Sequence, residues 1–137
     1  MIRLSVLLFA AAAPAAAQVA PISFEAGKLL PLTAGQWTYA VSATGSEARY
    51  GAAFSIRCDR ATRTVIISRP AAASAVLTIA TDSVSRNVPA GGRLLTNDPL
   101  LDAIAFSRGR FIVSGGGATL AIPSWPEAAR SIEDCRN

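Results

Sequence analysis

Histidine is absent from this chain, lysine occurs once, and there are two cysteines. Without imidazole there is no Ser-His or Cys-His nucleophile and no histidine-ligated metal. A lysine-activated serine would have to use Lys28, which no S-x-x-K surrounds. Nine carboxylates remain as acids or bases. A carboxylate hydrolase needs two of them facing each other across a cleft, and the close acidic residues have simpler readings. Asp98 reads as a helix N-cap, Asp102 lies in the first turn behind it, Glu127 completes a capping box, and Asp134 can pair with Arg130 at i, i+4. Gly115–Gly117 lacks the Lys-Ser/Thr of a phosphate loop and lies between strand-like runs, so it reads as a hairpin turn. No catalytic residue, metal or cofactor is expected.

Arginine supplies 12 of the 13 basic residues. Arg57, Arg60, Arg63 and Arg69 crowd a short stretch, and the planar guanidinium fork suits carboxylate and phosphate groups. Two readings stand side by side: a solvated strand face, or an anion-binding patch for an acidic glycan or a lipid head group. Nucleic acid is disfavoured because the basic residues are not interleaved with aromatics.

The first 17 residues, MIRLSVLLFAAAAPAAA, have one early charge, a short apolar run and small residues at Ala15 and Ala17. That is the form of a cleaved signal peptide, and an apolar run of about ten residues is too short to span a bilayer, which takes about 20. Residues 18–137 then form a single small domain, expected to be soluble, in the periplasm or secreted. Its apolar content is about 47%, an ordinary globular value, against 51% for the whole chain. The net charge drops from +4 to +3 with the loss of Arg3. In an oxidising compartment Cys58 and Cys135 are expected to form one disulfide, closing a loop of 77 residues.

The elements that must position these groups follow from hydrophobic period. Trp37, Tyr39 and Val41 alternate with polar or small residues, as in a half-buried strand. Residues 42–48 read as a turn, 49–58 as a second strand with Phe54, Ile56 and Cys58 on one face, 63–69 as a third strand and 75–81 as a fourth. Short connections favour an antiparallel meander. Residues 18–35 read as an irregular lead-in, with a short strand at Leu29-Leu30. The period then changes: Asp98-Pro99 opens a helix stopped by Gly109, and 111–114 and 118–122 form a hairpin. Ser124 to Glu127 has the S-x-x-E form and opens a last helix, on which Ala128, Ile132 and Cys135 share one face. Trp37 and Trp125 each open an element and are expected in the core or at its rim. The fold class is therefore α+β: a mainly antiparallel sheet that could curl into a β-sandwich, with two short helices, the C-terminal one tethered to the sheet by the disulfide.

In layout, residues 100–113, 118–123 and the closing helix resemble the invasion-associated locus B type of small exported bacterial protein. That resemblance covers about 40 residues in order and spacing. It implies a helix ending in glycine, two strands and a final helix, after strands that begin near a tryptophan. The segment SATGSEARY (42–50) is similar to the SASGARY-type loop of membrane-bound or periplasmic lysozyme inhibitors. This second resemblance implies an inhibitor loop in which Ser42, with Arg49 or Tyr50, would carry the contact. The composite expectation is a non-enzymatic envelope-associated binding module whose partner is an envelope protein, an acidic glycan or a lipid head group. The alternatives are an inhibitor of a cell-wall hydrolase and a small carboxylate hydrolase.

Overall fold

In the computed structural model, which describes Ala12 and residues 20–137, the alternation at Trp37 starts strand β1 (Trp37–Ser42). The chain turns at Ala43-Thr44 into β2 (Gly45–Tyr50), and β3 (Phe54–Asp59) and β4 (Thr64–Ser68) continue an antiparallel meander. The register sets Trp37 opposite Tyr50, Ala48 opposite Ile56 and Cys58 opposite Val65, so one face carries the apolar set. Four further strands make a second antiparallel sheet: β5 (Leu77–Ala80), β6 (Ser85–Val88), β8 (Arg110–Ser114) and β9 (Leu120–Pro123), in the order β6-β5-β8-β9. Between β6 and β8 the chain returns to the first sheet as β7 (Arg93–Leu95), which pairs with β4.

The two sheets share one hydrophobic core. Phe54 of β3 and Phe111 of β8 are fully buried with ring centroids 5.4 Å apart, and Trp37 meets Tyr50 and Phe54 edge-on. Helix α2 (Pro99–Ala105) adds Leu100, Leu101 and Ile104 to this core, and α3 (Pro126–Asp134) adds Ala128 and Ile132 while packing on β1, β2 and β3. Cys58 and Cys135 are disulfide-bonded with Cα atoms 5.4 Å apart, which ties the end of α3 to β3. The fold is thus α+β with antiparallel sheets and a disulfide-tethered C-terminal helix.

The outer face of the second sheet has its own cover. Residues 20–34, with the one-turn helix α1 (Phe24–Gly27), lay Ile22, Phe24 and Leu30 over Ala80, Ile112 and Ala121. Ser23 caps α1 by accepting from the Ala26 N–H at 3.1 Å. Thr33 and Ala121 exchange hydrogen bonds of 2.9 Å, which covers the open edge of β9. Gly27 is required by close approach: a Cβ there would lie 2.3 Å from Ile112 Cγ1.

Several sequence expectations change. Residues 42–48 are not a turn, because β2 occupies 45–50, and the expected second strand 49–58 is broken at Gly51–Ala53. The strand at 75–81 does not extend the meander but begins the second sheet. The lead-in contains α1 rather than a strand at Leu29-Leu30, and Leu29 is exposed. The capping box does not form: Pro126 fixes the first helical position, so Trp125 becomes the N-cap and Ser124 falls one residue too early. Ser124 Oγ and Glu127 Oε2 consequently have no hydrogen-bond partner among the described residues. Trp37 is in the core, donating from its indole to the Pro123 carbonyl at 2.8 Å, whereas Trp125 is 48% exposed. The expected signal peptide, residues 1–17, lies outside the described residues except for Ala12. No helix among the described residues is long and apolar enough to cross a membrane.

Candidate functional site

Four residues, 60–63, connect β3 to β4, and local hydrogen bonding sets their shape. Asp59 Oδ1 accepts from the Ala61 and Thr62 amides at 3.1 and 3.4 Å, a side-chain-closed turn. The bonds from Thr62, its side chain first, hold the Asp59 carboxyl below the usual carboxylate range. The Arg60 amide donates to the Thr44 carbonyl at 3.1 Å, which fastens the turn to the β1–β2 turn beside it. Arg63 closes the connection at φ +50°, a left-handed conformation that an L side chain adopts at a cost of about 1–2 kcal/mol. The turn thus projects Arg60 and Arg63 from the end of the sheet, and Arg57 stands on the outer face of β3, opposite Glu47 and Ile66.

What distinguishes these three is that, among the described residues, no hydrogen bond, ion pair or aromatic ring holds their side chains. Among the described residues, Arg49, Arg86, Arg93, Arg108 and Arg136 are in ion pairs with carboxylates. Arg110 donates to the Leu30 carbonyl at 2.7 Å, and Arg130 lies 4.1 Å over the Tyr39 ring, a cation–π contact. Arg57, Arg60 and Arg63 are exposed, with no side-chain hydrogen bond or ion pair among the described residues.

Arg69 is not part of this group. It follows β4 at its far end, with the five residues of that strand, about 17 Å, between it and the turn. There its guanidinium donates to the Gly115 and Ala118 carbonyls at 2.7 and 2.8 Å. It braces the hairpin of Gly115–Gly117, all three at positive φ. The expected four-arginine cluster is therefore three residues, and the fourth is structural.

Arg60 and Arg63 flank a cavity of about 100 Å³ that also touches Asp134, Cys135 and Asn137. That volume equals about three waters at ~30 Å³ each, room for one carboxylate or phosphate group. Contrary to the spacing, Asp134 forms no ion pair with Arg130 among the described residues; it accepts a hydrogen bond from the Tyr39 hydroxyl. Desolvation alone would raise the Asp134 pKa, but bonds from Tyr39 and Ser46 and the charges of Arg60 and Arg130 outweigh it and lower the value. The same bond, with Tyr39 as donor, raises the Tyr39 pKa. Arg60 thus stands close enough to Asp134 for its charge to be felt there, without an ion pair between them.

The residues implied by the lysozyme-inhibitor likeness do not converge. Ser42 ends β1 beside the turn, whereas Arg49 pairs across to Thr38, four residues and about 13 Å further along the strand. Tyr50 is buried and donates its hydroxyl to the Thr33 carbonyl at 2.7 Å.

The carboxylates are largely committed. Seven are in ion pairs, from Glu25 with Lys28 to Glu133 with Arg136, and Asp134 is held by Tyr39. Two of the seven, Asp82 and Asp102, nonetheless line one open groove of about 540 Å³ between the β5–β6 turn and α2. Its apolar lining includes Phe106, which is 78% exposed. Sequence reasoning missed this groove, although Phe106 lies two residues beyond Ile104 and therefore off the apolar face of α2.

No protein-family model, curated protein or solved structure matches the chain.

Proposed function

We propose that this protein is an exported, non-catalytic binding module of the cell envelope that engages an anionic envelope component through Arg57, Arg60 and Arg63. One observation carries this reading: eight of the eleven described arginines are engaged inside the molecule, and the three that are not lie together around one turn. A guanidinium without an internal partner keeps all its donors for an external carboxylate or phosphate. The leader-like N-terminus and the disulfide agree with an oxidising location.

The ligand chemistry, a repeated carboxylate or phosphate, could be presented by an acidic glycan or by lipid head groups. Amide chemical-shift titration with an oligogalacturonate and with vesicles containing phosphatidylglycerol separates the two sources. Shifts or broadening centred on 57–63 in either arm support the reading, and Arg60→Gln weakens binding while Arg49→Gln does not. Perturbation confined to other surfaces overturns it. Cleavage of an envelope polymer by the purified protein, lost in Asp82→Asn or Asp102→Asn, would overturn the non-catalytic part and favour the carboxylate hydrolase.

A further inference from the structure

The geometry points to a second binding site, for an uncharged linear glycan, in the groove between the β5–β6 turn and α2. Three features of the groove select this class of ligand.

The first is an exposed aromatic face. Phe54 and Phe111 are fully buried, yet Phe106 is 78% exposed at the C-terminal end of α2, beside Val84 and Ala103 in the groove lining. An aromatic face carries partial negative charge, so it attracts the weakly positive C–H face of a sugar ring.

The second is charge balance. Asp82 faces Arg108 at 3.5 Å, and Asp102 faces Arg136 at 2.8 Å. The groove continues past Asp82, Ser83 and Arg108 into a trough of about 500 Å³, where Lys28 is matched by Glu25 at 2.6 Å. An anionic or cationic ligand would have to displace one member of such a pair. A neutral polyhydroxylated chain does not, because hydroxyls both donate to the carboxylates and accept from the guanidinium and ammonium. The run from Phe106 at one end to Phe24 and Lys28 at the other suits two or more linked rings rather than one.

The third is that the walls are fixed in advance. The Asp82 amide donates to Ser107 Oγ at 3.2 Å, and Ser107 in turn donates to the Arg110 carbonyl at 2.6 Å. Arg86 of β6 bridges to Asp98, the N-cap of α2, at 2.7 Å. The turn at 81–84 is closed by Thr81 Oγ1, which donates to the Val84 carbonyl at 2.9 Å and accepts from the Val84 amide at 3.0 Å. Braces at both ends keep the groove open without a ligand, so binding orders little chain.

This site shares no residue with the arginine turn, so its failure and that of the anion-binding reading are separable. The probe is a β-1,4-linked tetrasaccharide of N-acetylglucosamine, titrated into the 15N-labelled protein. Amides of Asp82–Val84 and Ala103–Arg108 are expected to shift, with an affinity unchanged between about 20 and about 300 mM salt. Both Phe106→Ala and Phe106→Leu are expected to weaken binding at least about tenfold. The leucine variant keeps apolar bulk and loses only the ring face. Since Phe106 is exposed, neither variant threatens folding. Arg60→Gln is expected to bind the tetrasaccharide as wild type does. The absence of shifts up to about 10 mM sugar, shifts centred elsewhere, or full affinity in both Phe106 variants overturns the assignment.

Discussion

Opening the Cys58–Cys135 bridge should cost this domain a large part of its stability. The two residues are 77 apart in sequence. The chain-entropy relation for a loop of that length gives about 15 cal/mol/K, or about 4.5 kcal/mol at 25 °C. With an unfolding entropy of about 2.1 cal/mol/K per residue over the ordered domain, that corresponds to a fall in Tm of roughly 18 °C. The native contacts of α3 do not offset this, because the Ala128 and Ile132 packing and the Arg136–Asp102 pair are made whether or not the bridge is closed. Urea unfolding of oxidised wild type, reduced wild type and Cys58→Ala/Cys135→Ala measures it. Reduced wild type retains both buried sulfurs, so its difference from the double variant isolates their packing contribution. The oxidised-to-reduced difference isolates the crosslink, and adding reductant to the double variant should change nothing. A reduced protein within about 1.5 kcal/mol of the oxidised one would refute the idea that the bridge acts on the unfolded chain in this way.

Other consequences can be measured with the same assay. Arg63→Gly relieves the left-handed strain and should raise stability by about 1 kcal/mol while weakening anion binding; a loss of stability would show that the arginine side chain has a structural role. Because Asp134 has a lowered pKa in the folded state, its contribution to stability is present above the unfolded-state value and is lost as pH falls through the folded one. Asp134→Asn should therefore flatten the stability profile below about pH 4, and an unchanged acid limb would contradict the Tyr39–Asp134 tether. Gly27→Ala drives a methyl group into Ile112 and should cost about 1–3 kcal/mol, with faster amide exchange in residues 20–34 than in the main core. Equal exchange in both regions would show that the N-terminal segment is not a separate layer.

The parts of the fold legible in the sequence are those where large side chains mark the inward face. Phe54, Ile56 and Cys58 announce β3, and the i, i+4, i+7 spacing of Ala128, Ile132 and Cys135 orients α3 well enough to anticipate which strand the disulfide joins. Strand β2 was hidden because its inward residues are mostly small. Ser46 and Ala48 leave room for α3, where Ser46 donates to Ser131 at 3.4 Å, so the apolar period fades. Strand β6 buries only Val88, and β7 is three residues long; neither is long enough to show a period. At the candidate site, nearness in sequence grouped Arg69 with Arg57, Arg60 and Arg63, but a whole strand separates it from the turn. Which arginines are satisfied internally depends on tertiary partners such as the Gly115 and Ala118 carbonyls, and no local pattern encodes that.

The most direct measurement of the anion-binding claim is the affinity for an oligogalacturonate and for phosphatidylglycerol vesicles as salt is raised. Wild type is compared with Arg57→Gln/Arg60→Gln/Arg63→Gln. These side chains are exposed, so the triple variant should unfold at the wild-type temperature. Wild type should bind at least one of the two probes, weaken progressively as the Debye length shortens from about 30 Å at 0.01 M to about 8 Å at 0.15 M, and lose that binding in the triple variant. Triple-variant binding equal to wild type, or wild-type binding indifferent to salt, would contradict the account.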